Sequence, residues 1–146
     1  MTKDDIISFL NKEKKCTEEI SKKHGDIKKI IDVLINARDN GNSIYVIGNG
    51  GSGSTASHFV SDLLKTAILK NKNRFKAISL VDNIPVMLAW SNDVSFDDIF
   101  EQQLVNYIND GDVVIAFSGS GNSKNIVKAL KYCSKFNVVS IGFSGS

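Results

Sequence analysis

Ser43-Ile44-Tyr45-Val46-Ile47-Gly48-Asn49-Gly50-Gly51-Ser52-Gly53-Ser54 runs an apolar strand into a glycine–serine turn and then into a helix. Asp112-Val113-Val114-Ile115-Ala116-Phe117-Ser118-Gly119-Ser120-Gly121-Asn122-Ser123 repeats the same grammar. A strand that ends in Gly, Ser and Asn before a helix aims backbone N–H groups and hydroxyls at one point. The helix N-terminus adds partial positive charge there, which suits a phosphate. Glycine lets the backbone approach a ligand closely, while serine and asparagine supply further donors. Two such loops in one small domain point to a phosphorylated ligand gripped from two sides.

Working outward from the first loop, the chain alternates. The patterning predicts strand 43–47, helix 52–69, strand 75–81, a turn at Asp82 to Pro85 and a short apolar helix 85–90. A loop around Asn92 and Asp93, helix 97–108, strand 112–117, helix 123–134 and strand 137–142 complete it. Short β-branched strands separated by amphipathic helices predict an α/β fold: a three-layer, doubly wound parallel sheet covered on both faces. In a flavodoxin-like strand order 2-1-3-4, the first and third strands meet at the topological switch point. Ligands bind there, at the carboxyl ends of the strands. Those two strands carry the glycine–serine loops.

Upstream, residues 1–40 read as a helical region that packs on the domain, leaving 41–146 as the ligand-binding domain. Thr2 with Asp5 forms a capping box ahead of Ile6, Phe9 and Leu10 on one face. Lys12 to Lys23, with Glu13, Glu18 and Glu19 interspersed, reads as a solvated helix face. His24 reads as a surface residue. Asp26 is placed to cap a second helix carrying Ile27, Ile30, Ile31, Leu34 and Ala37, which Gly41 would end. Ile6, Phe9 and Leu10 exceed what one small sheet can cover, so a homo-oligomer, dimer or tetramer, is expected through these helices. The last predicted strand stops four residues before Ser146. Doubly wound sheets cover that strand too, so either a partner chain or a further C-terminal strand and helix is expected.

A length of 146 residues suffices for one well-cored domain. The net charge of +2 gives no footing for nucleic acid or an anionic membrane. Arg38 and Arg74 are the only arginines, so bidentate arginine recognition of phosphate is scarce. Cys16 and Cys133 lack disulfide-framework or zinc-ligand spacing and read as reduced thiols. The first residues are too polar for a signal peptide, and no apolar run approaches the ~18–20 residues of a membrane span. A cytoplasmic location follows.

The helix opened by the first loop has an apolar stripe of Ala56, Phe59, Val60, Leu63 and Ala67. His58 and Asp62, at i and i+4, stand together on another face. By helix rise, His58 lies about 9 Å beyond Ser52 along the axis. A phosphosugar anchored at one loop would bring its reactive end to this pair. Spacing alone leaves three readings open: an acid–base pair acting next to a carbonyl, two ligands of a divalent metal such as zinc, or an exposed hydrogen-bonded pair. In the second loop, Ser118, Ser120 and Ser123 with the N–H groups of Gly119, Gly121 and Asn122 make an anion nest. Asp93 is suited to accept hydrogen bonds from sugar hydroxyls. Gly48 to Gly53 also satisfies G-x-G-x-x-G, with Asp82 beyond the next strand as a ribose-binding acid. That acid falls later than the usual ~20 residues, and a dinucleotide would leave the second loop idle, so no nucleotide cofactor is expected.

Taken together, Gly48 to Ser52, His58-Phe59, Asn92-Asp93 and Ser118 to Ser123 resemble, in order and spacing, the SIS (sugar isomerase) domain family, and within it the phosphoheptose isomerases. The likeness runs from about Ile27 to the end of the chain. It implies an aldose–ketose isomerase that interconverts sedoheptulose 7-phosphate and a mannoheptose 7-phosphate through a cis-enediol. It further implies a homotetramer with sites near subunit interfaces. By matched position, Ser118, Gly119, Ser120 and Ser123 would hold the phosphate. Asn49, Gly50, Gly51, Ser52 and Asp93 would hold the sugar. His58 and Asp62 would face the reacting carbons, where some members bind zinc.

Three departures from the family pattern matter. Asp62 stands where the family has a glutamate base, one methylene longer. Gly119 stands where a threonine is usual. The family's second catalytic histidine lies on a C-terminal helix beyond the counterpart of Ser146. These departures set an alternative beside the isomerase: a non-catalytic SIS module that binds a phosphosugar or serves as a protein adaptor.

Overall fold

A computed structural model describes residues 1–145; Ser146, the end of the expected ligand-binding domain, lies outside the described residues. The chain forms two compact units, residues 1–32 and residues 33 onward.

In the first unit, α1 (Lys3–Ser21) starts on the expected capping box. The Thr2 N–H donates to Asp5 at 2.6 Å, and the Asp5 N–H donates to the Thr2 hydroxyl at 3.2 Å. No residue of α1 is buried, and Ile6, Ile7, Phe9 and Leu10 are all exposed. Helix α2 (His24–Asn40) begins two residues before the predicted cap, so Asp26 sits in its first turn, where its carboxylate favours the helix dipole. Gly41, at φ +73°, ends α2 in the left-handed conformation. There the Asn42 N–H turns back to the Ala37 carbonyl at 2.9 Å.

The second unit is built on four parallel strands, β1 (Ser43–Gly48), β2 (Lys76–Ser79), β3 (Val113–Ser118) and β4 (Val139–Ser144), in the order β2-β1-β3-β4. This is the predicted order. Ile44 pairs with Ala77 on one side and Val113 on the other, which places Ile44, Val46, Val113 and Ile115 on one face. Helix α3 (Gly50–Ser61) covers that face with buried Ala56 and Val60. Phe59 packs edge-on against Phe117, which stacks on Phe143 of β4. The opposite face presents Tyr45, Ile47, Val114 and Ala116 to α5 (Glu101–Tyr107) and α6 (Lys124–Cys133), where Phe100, Leu104, Ile126 and Ala129 fill the core. Burying Phe100, Leu104 and Ile126 contributes ~1.5–3 kcal/mol each. At the base of the sheet, buried Asp112 ties strand starts together by accepting from the Ser43 N–H at 2.8 Å and the Asn109 N–H at 2.9 Å.

Several predicted boundaries move. The helix expected over 52–69 is α-helical only to Ser61 and then widens into a π turn, Asp62–Thr66. Residues 97–108 divide into a 3-10 turn, Phe96–Asp98, and α5. Lys128 of α6 holds this division in place, donating to buried Asp98 at 2.7 Å and standing 3.3 Å from Glu101. The hydrogen bond to Asp98 pushes the lysine's proton affinity above its usual range. Asn92 and Asp93, expected in a loop, form the last turn of α4 (Ile84–Asp93) instead. The Asn83 side chain and Pro85 start this helix, and the Trp90 carbonyl accepts from both Val94 and Ser95 at its end. Cys133 is buried, and burial pushes its thiol up to about 11, whereas Cys16 is exposed. A structural role therefore suits Cys133.

Candidate functional site

The first loop depends on close backbone packing where β1 enters α3. A Cβ on Gly48 would lie 2.4 Å from the Ser52 carbonyl oxygen, and one on Gly53 would lie 3.0 Å from the Gly48 oxygen. Gly48 therefore excludes a side chain, and Gly53 admits one only if the backbone beside it gives way. Gly50 turns the chain at φ +51° with open space above it. Asn49 occupies the N-cap position of α3, yet its side chain makes no capping bond. It reaches across to the second loop instead. The Asn49 and Asn125 amides exchange two hydrogen bonds of 2.9 Å each, and the Asn125 oxygen also accepts from the Ile126 N–H.

That reciprocal pair joins the two loops at the ends of neighbouring strands. Asn125 is 2% exposed and was not singled out from sequence. Its signal was present: four residues before Ala129, it lies on the apolar stripe of α6, where a polar residue needs a partner. Replacing Asn125 with alanine should strand the Asn49 amide and lower stability by ~1–3 kcal/mol. Chemical denaturation checks this, and an unchanged midpoint would show that the pair contributes nothing.

In the second loop, Ser118 and Ser123 bring their hydroxyls to 3.4 Å from each other. Ser123 is the N-cap of α6 but does not cap it, which leaves its hydroxyl on the loop side. The Ser120 hydroxyl accepts from the Asn122 N–H at 3.2 Å, and the Ser118 carbonyl accepts from Gly121 at 3.1 Å. Gly119 is exposed, with nothing within 4 Å of where a Cβ would stand. Sterics therefore do not require glycine there.

The two loops line different clefts. Gly48, Asn49 and Gly50 line one of about 370 Å³ on the β2 side, together with Ser57 and Asp82. Ser118 and Gly121 line a smaller one of about 170 Å³ beside β4. His58 and Asp62 stand outside both, on the exposed side of α3, with Nε2 and Oδ2 separated by 3.6 Å. Their side chains are 80% and 56% exposed. Asp62 also accepts from the Thr66 hydroxyl at 3.0 Å, and its carbonyl accepts from Ala67 in the π turn. Such π turns occur often at functional positions. Asp93 accepts from the Asn92 amide at 2.8 Å at the far end of α4 and lines neither cleft.

Comparison with known proteins places this geometry. A SIS domain model matches residues 8–145. A probable phosphoheptose isomerase of Thermoplasma acidophilum is 37% identical over 123 residues, covering 82% of this chain and 67% of that protein. The chain belongs to the phosphoheptose isomerase branch of the SIS domain family. The phosphoheptose isomerase of Geotalea daltonii is 32% identical over 143 residues, covering 97% of this chain and 74% of the relative. A solved phosphoheptose isomerase from Francisella tularensis superposes with a TM-score of 0.92 at 27% identity, across 100% of this chain and 77% of that one. One from Neisseria gonorrhoeae shares the fold, with a TM-score of 0.89 at 24% identity over 98% of this chain and 74% of that one.

Zinc was an expectation for the His58–Asp62 face of this SIS domain. Two donors 3.6 Å apart match the edge of a tetrahedral site, ~3.3 Å for ligands at ~2.0 Å. A catalytic zinc takes three protein ligands. Among the described residues, no third histidine, cysteine, aspartate or glutamate joins the pair. These residues therefore make at most part of a metal centre.

Proposed function

We propose that this SIS domain is a phosphoheptose isomerase acting on a seven-carbon sugar phosphate. The observation that carries the reading is the pair of loops on adjacent strands, joined through Asn49 and Asn125, within a family of that activity. In this reading, the hydroxyls of Ser118 and Ser123 and the N-terminus of α6 hold the phosphate. Asn49 positions the two loops, and Gly50 to Ser52 approach the sugar. The Asp62 carboxylate takes a proton from C1 of the ketose while the carbonyl oxygen at C2 gains one, giving a cis-enediol. Return of a proton to C2, with loss of the proton on O1, yields the aldose. His58 lies beside the carboxylate to serve the oxygens.

The chemistry needs a site drier than an exposed helix face provides. That requirement, and the exposed Ile6, Ile7, Phe9 and Leu10 on α1, support a homo-oligomer, dimer or tetramer, that encloses the pair. Light scattering at micromolar concentration is expected to give a multiple of the 16.0 kDa chain mass, and a monomer would oppose it. Among the described residues, no helix is long and apolar enough to cross a membrane. The exposed, unpaired Cys16 supports a reducing, cytoplasmic setting. A zinc ion at His58 and Asp62 would need its third ligand from a partner, and metal analysis of the purified oligomer tests for it.

A coupled assay with sedoheptulose 7-phosphate decides the activity, and folded oligomer without turnover would remove it. The exposure of His58 and Asp62 favours, as a second reading, a module that binds the phosphosugar without converting it. Calorimetric binding without turnover would be its signature.

A further inference from the structure

A phosphate monoester carries about −1.5 to −2 charges near neutral pH, and the second loop holds no full positive charge to meet it. No lysine, arginine or histidine occurs from Ala77 to Ser123, a stretch that carries seven carboxylate side chains. The next residue is Lys124, the first of α6. On helix grounds alone this is a poor place for a lysine, because the N-terminal end of the macrodipole is already positive. Nothing nearby offsets the conflict. Helix α6 has no acidic residue in its first turn, and its N-cap Ser123 makes no capping bond. Among the described residues Lys124 makes no ion pair, whereas Lys128, one turn on, is held by Asp98 and Glu101.

Helical side chains lean toward the N-terminus, so Lys124 leans toward the loop rather than away from it. It lines a cleft of about 420 Å³ together with Asn122 of the loop. Asp97 lines the same cleft yet stands beyond ion-pair distance of Lys124. Ser123, which directly precedes Lys124, also faces Ser118. Ser118 is 8% exposed, and the 3.4 Å contact of its hydroxyl with Ser123 exceeds the ~2.5–3.0 Å of a hydroxyl–hydroxyl bond. A hydroxyl so buried and so poorly paired is a donor held for a ligand.

We propose that Lys124 is a further phosphate-binding residue, whose ammonium supplies the full positive charge that the serine hydroxyls and the helix end lack. This rests on the phosphate assignment made under Proposed function. A bound phosphate turns the conflict between Lys124 and the helix dipole into a shared attraction for one anion. Without the anion, the lysine costs α6 some stability. Lys131 lines the same cleft but lies seven residues on, ~10.5 Å farther along the axis. That exceeds the screening length of ~8 Å at physiological salt, so Lys131 adds little at the loop. The assignment thus separates a ligand-binding lysine from a solvent-facing one on the same helix.

Calorimetric titration of the full chain with inorganic phosphate and with sedoheptulose 7-phosphate, beside ligand-free thermal melts, tests this. In Lys124→Gln, affinity for both ligands should fall about 3- to 10-fold, as for a lost ion pair that water reaches. In Lys124→Glu, which replaces attraction by repulsion, it should fall about 10- to 100-fold. Lys124→Arg should bind within about threefold of wild type, and Lys131→Gln within about twofold. Ligand-free Lys124→Glu should melt about 1–4 °C higher than wild type, because an acid at that position suits the helix dipole. Weaker binding together with higher stability is a pairing that a merely structural lysine would not give. Unchanged affinity in Lys124→Glu, an equal loss in Lys131→Gln, or a lower ligand-free melting temperature in Lys124→Glu would overturn the assignment. The readout also separates it from the reading on which it rests. Wild-type protein that binds neither ligand removes the phosphate site and Lys124 with it. Protein that binds with the expected lysine dependence but never isomerises keeps Lys124 and removes the activity. Protein that isomerises, with unchanged affinity in Lys124→Glu, keeps the activity and removes Lys124.

Discussion

Alanine at Gly48 is expected to lower stability by ~3 kcal/mol or more, a melting-temperature drop of roughly 10 °C for a chain of this size. The added Cβ would stand 2.4 Å from the Ser52 carbonyl oxygen and 2.6 Å from its carbon, both backbone atoms of the first turn of α3. No rotamer change relieves a clash with backbone. Helix α3 cannot simply withdraw, because its buried Ala56 and Val60 hold it on the sheet. Gly51→Ala, three residues on, is the control. Nothing lies within 4 Å of its Cβ position, and its backbone is not left-handed. Within α3, alanine there should be neutral or stabilising by ~0.5–1 kcal/mol. Thermal melts should show a large drop for Gly48→Ala and no drop for Gly51→Ala, and a Gly48→Ala midpoint within about 2 °C of wild type would show that the loop tolerates a side chain.

The second large effect concerns turnover. Asp62→Ala should reduce isomerisation of sedoheptulose 7-phosphate by about 10²- to 10⁴-fold, the usual range for losing a general base. Binding of inorganic phosphate should stay within about twofold, because Asp62 lines neither cleft and is 56% exposed. Asp62→Glu should raise turnover above wild type. The extra methylene advances the carboxylate by ~1.5 Å, and misplacement of ~1 Å can cost ~10²-fold in rate. Wild-type turnover in Asp62→Ala would remove the carboxylate from the mechanism. A glutamate variant slower than wild type would show instead that the backbone around the π turn has already adjusted to aspartate.

Much of the fold was legible because its signals are local. Ile44 to Ile47 and Val113 to Ala116 are buried on both faces, so they read as continuous apolar runs, and their adjacency follows from the switch-point rule. Thr2 with Asp5, and Gly41, marked helix ends through bonds spanning only a few residues. Asn92 and Asp93 misled for a related reason. They are turn-forming residues, but α4 has no buried residue to set its length, and its capping bonds carry it through them. The π turn at Asp62 was equally hidden, since the α and π registers share one amphipathic pattern for several residues.

By itself, the amino-acid order determined the doubly wound sheet, the two glycine–serine loops and the presence of His58 and Asp62 on one helical face. Periodicity and turn chemistry act over a few residues and are written into neighbouring letters. Only the tertiary structure decided that Asn49 bonds to Asn125 rather than capping its own helix, that Ser57 orients Asp82, and that the loops open onto separate clefts. The Asn49–Asn125 and Ser57–Asp82 bonds join residues 76 and 25 positions apart. Such pairings arise only when packing brings distant polar groups together and burial or proximity makes leaving them unpaired costly.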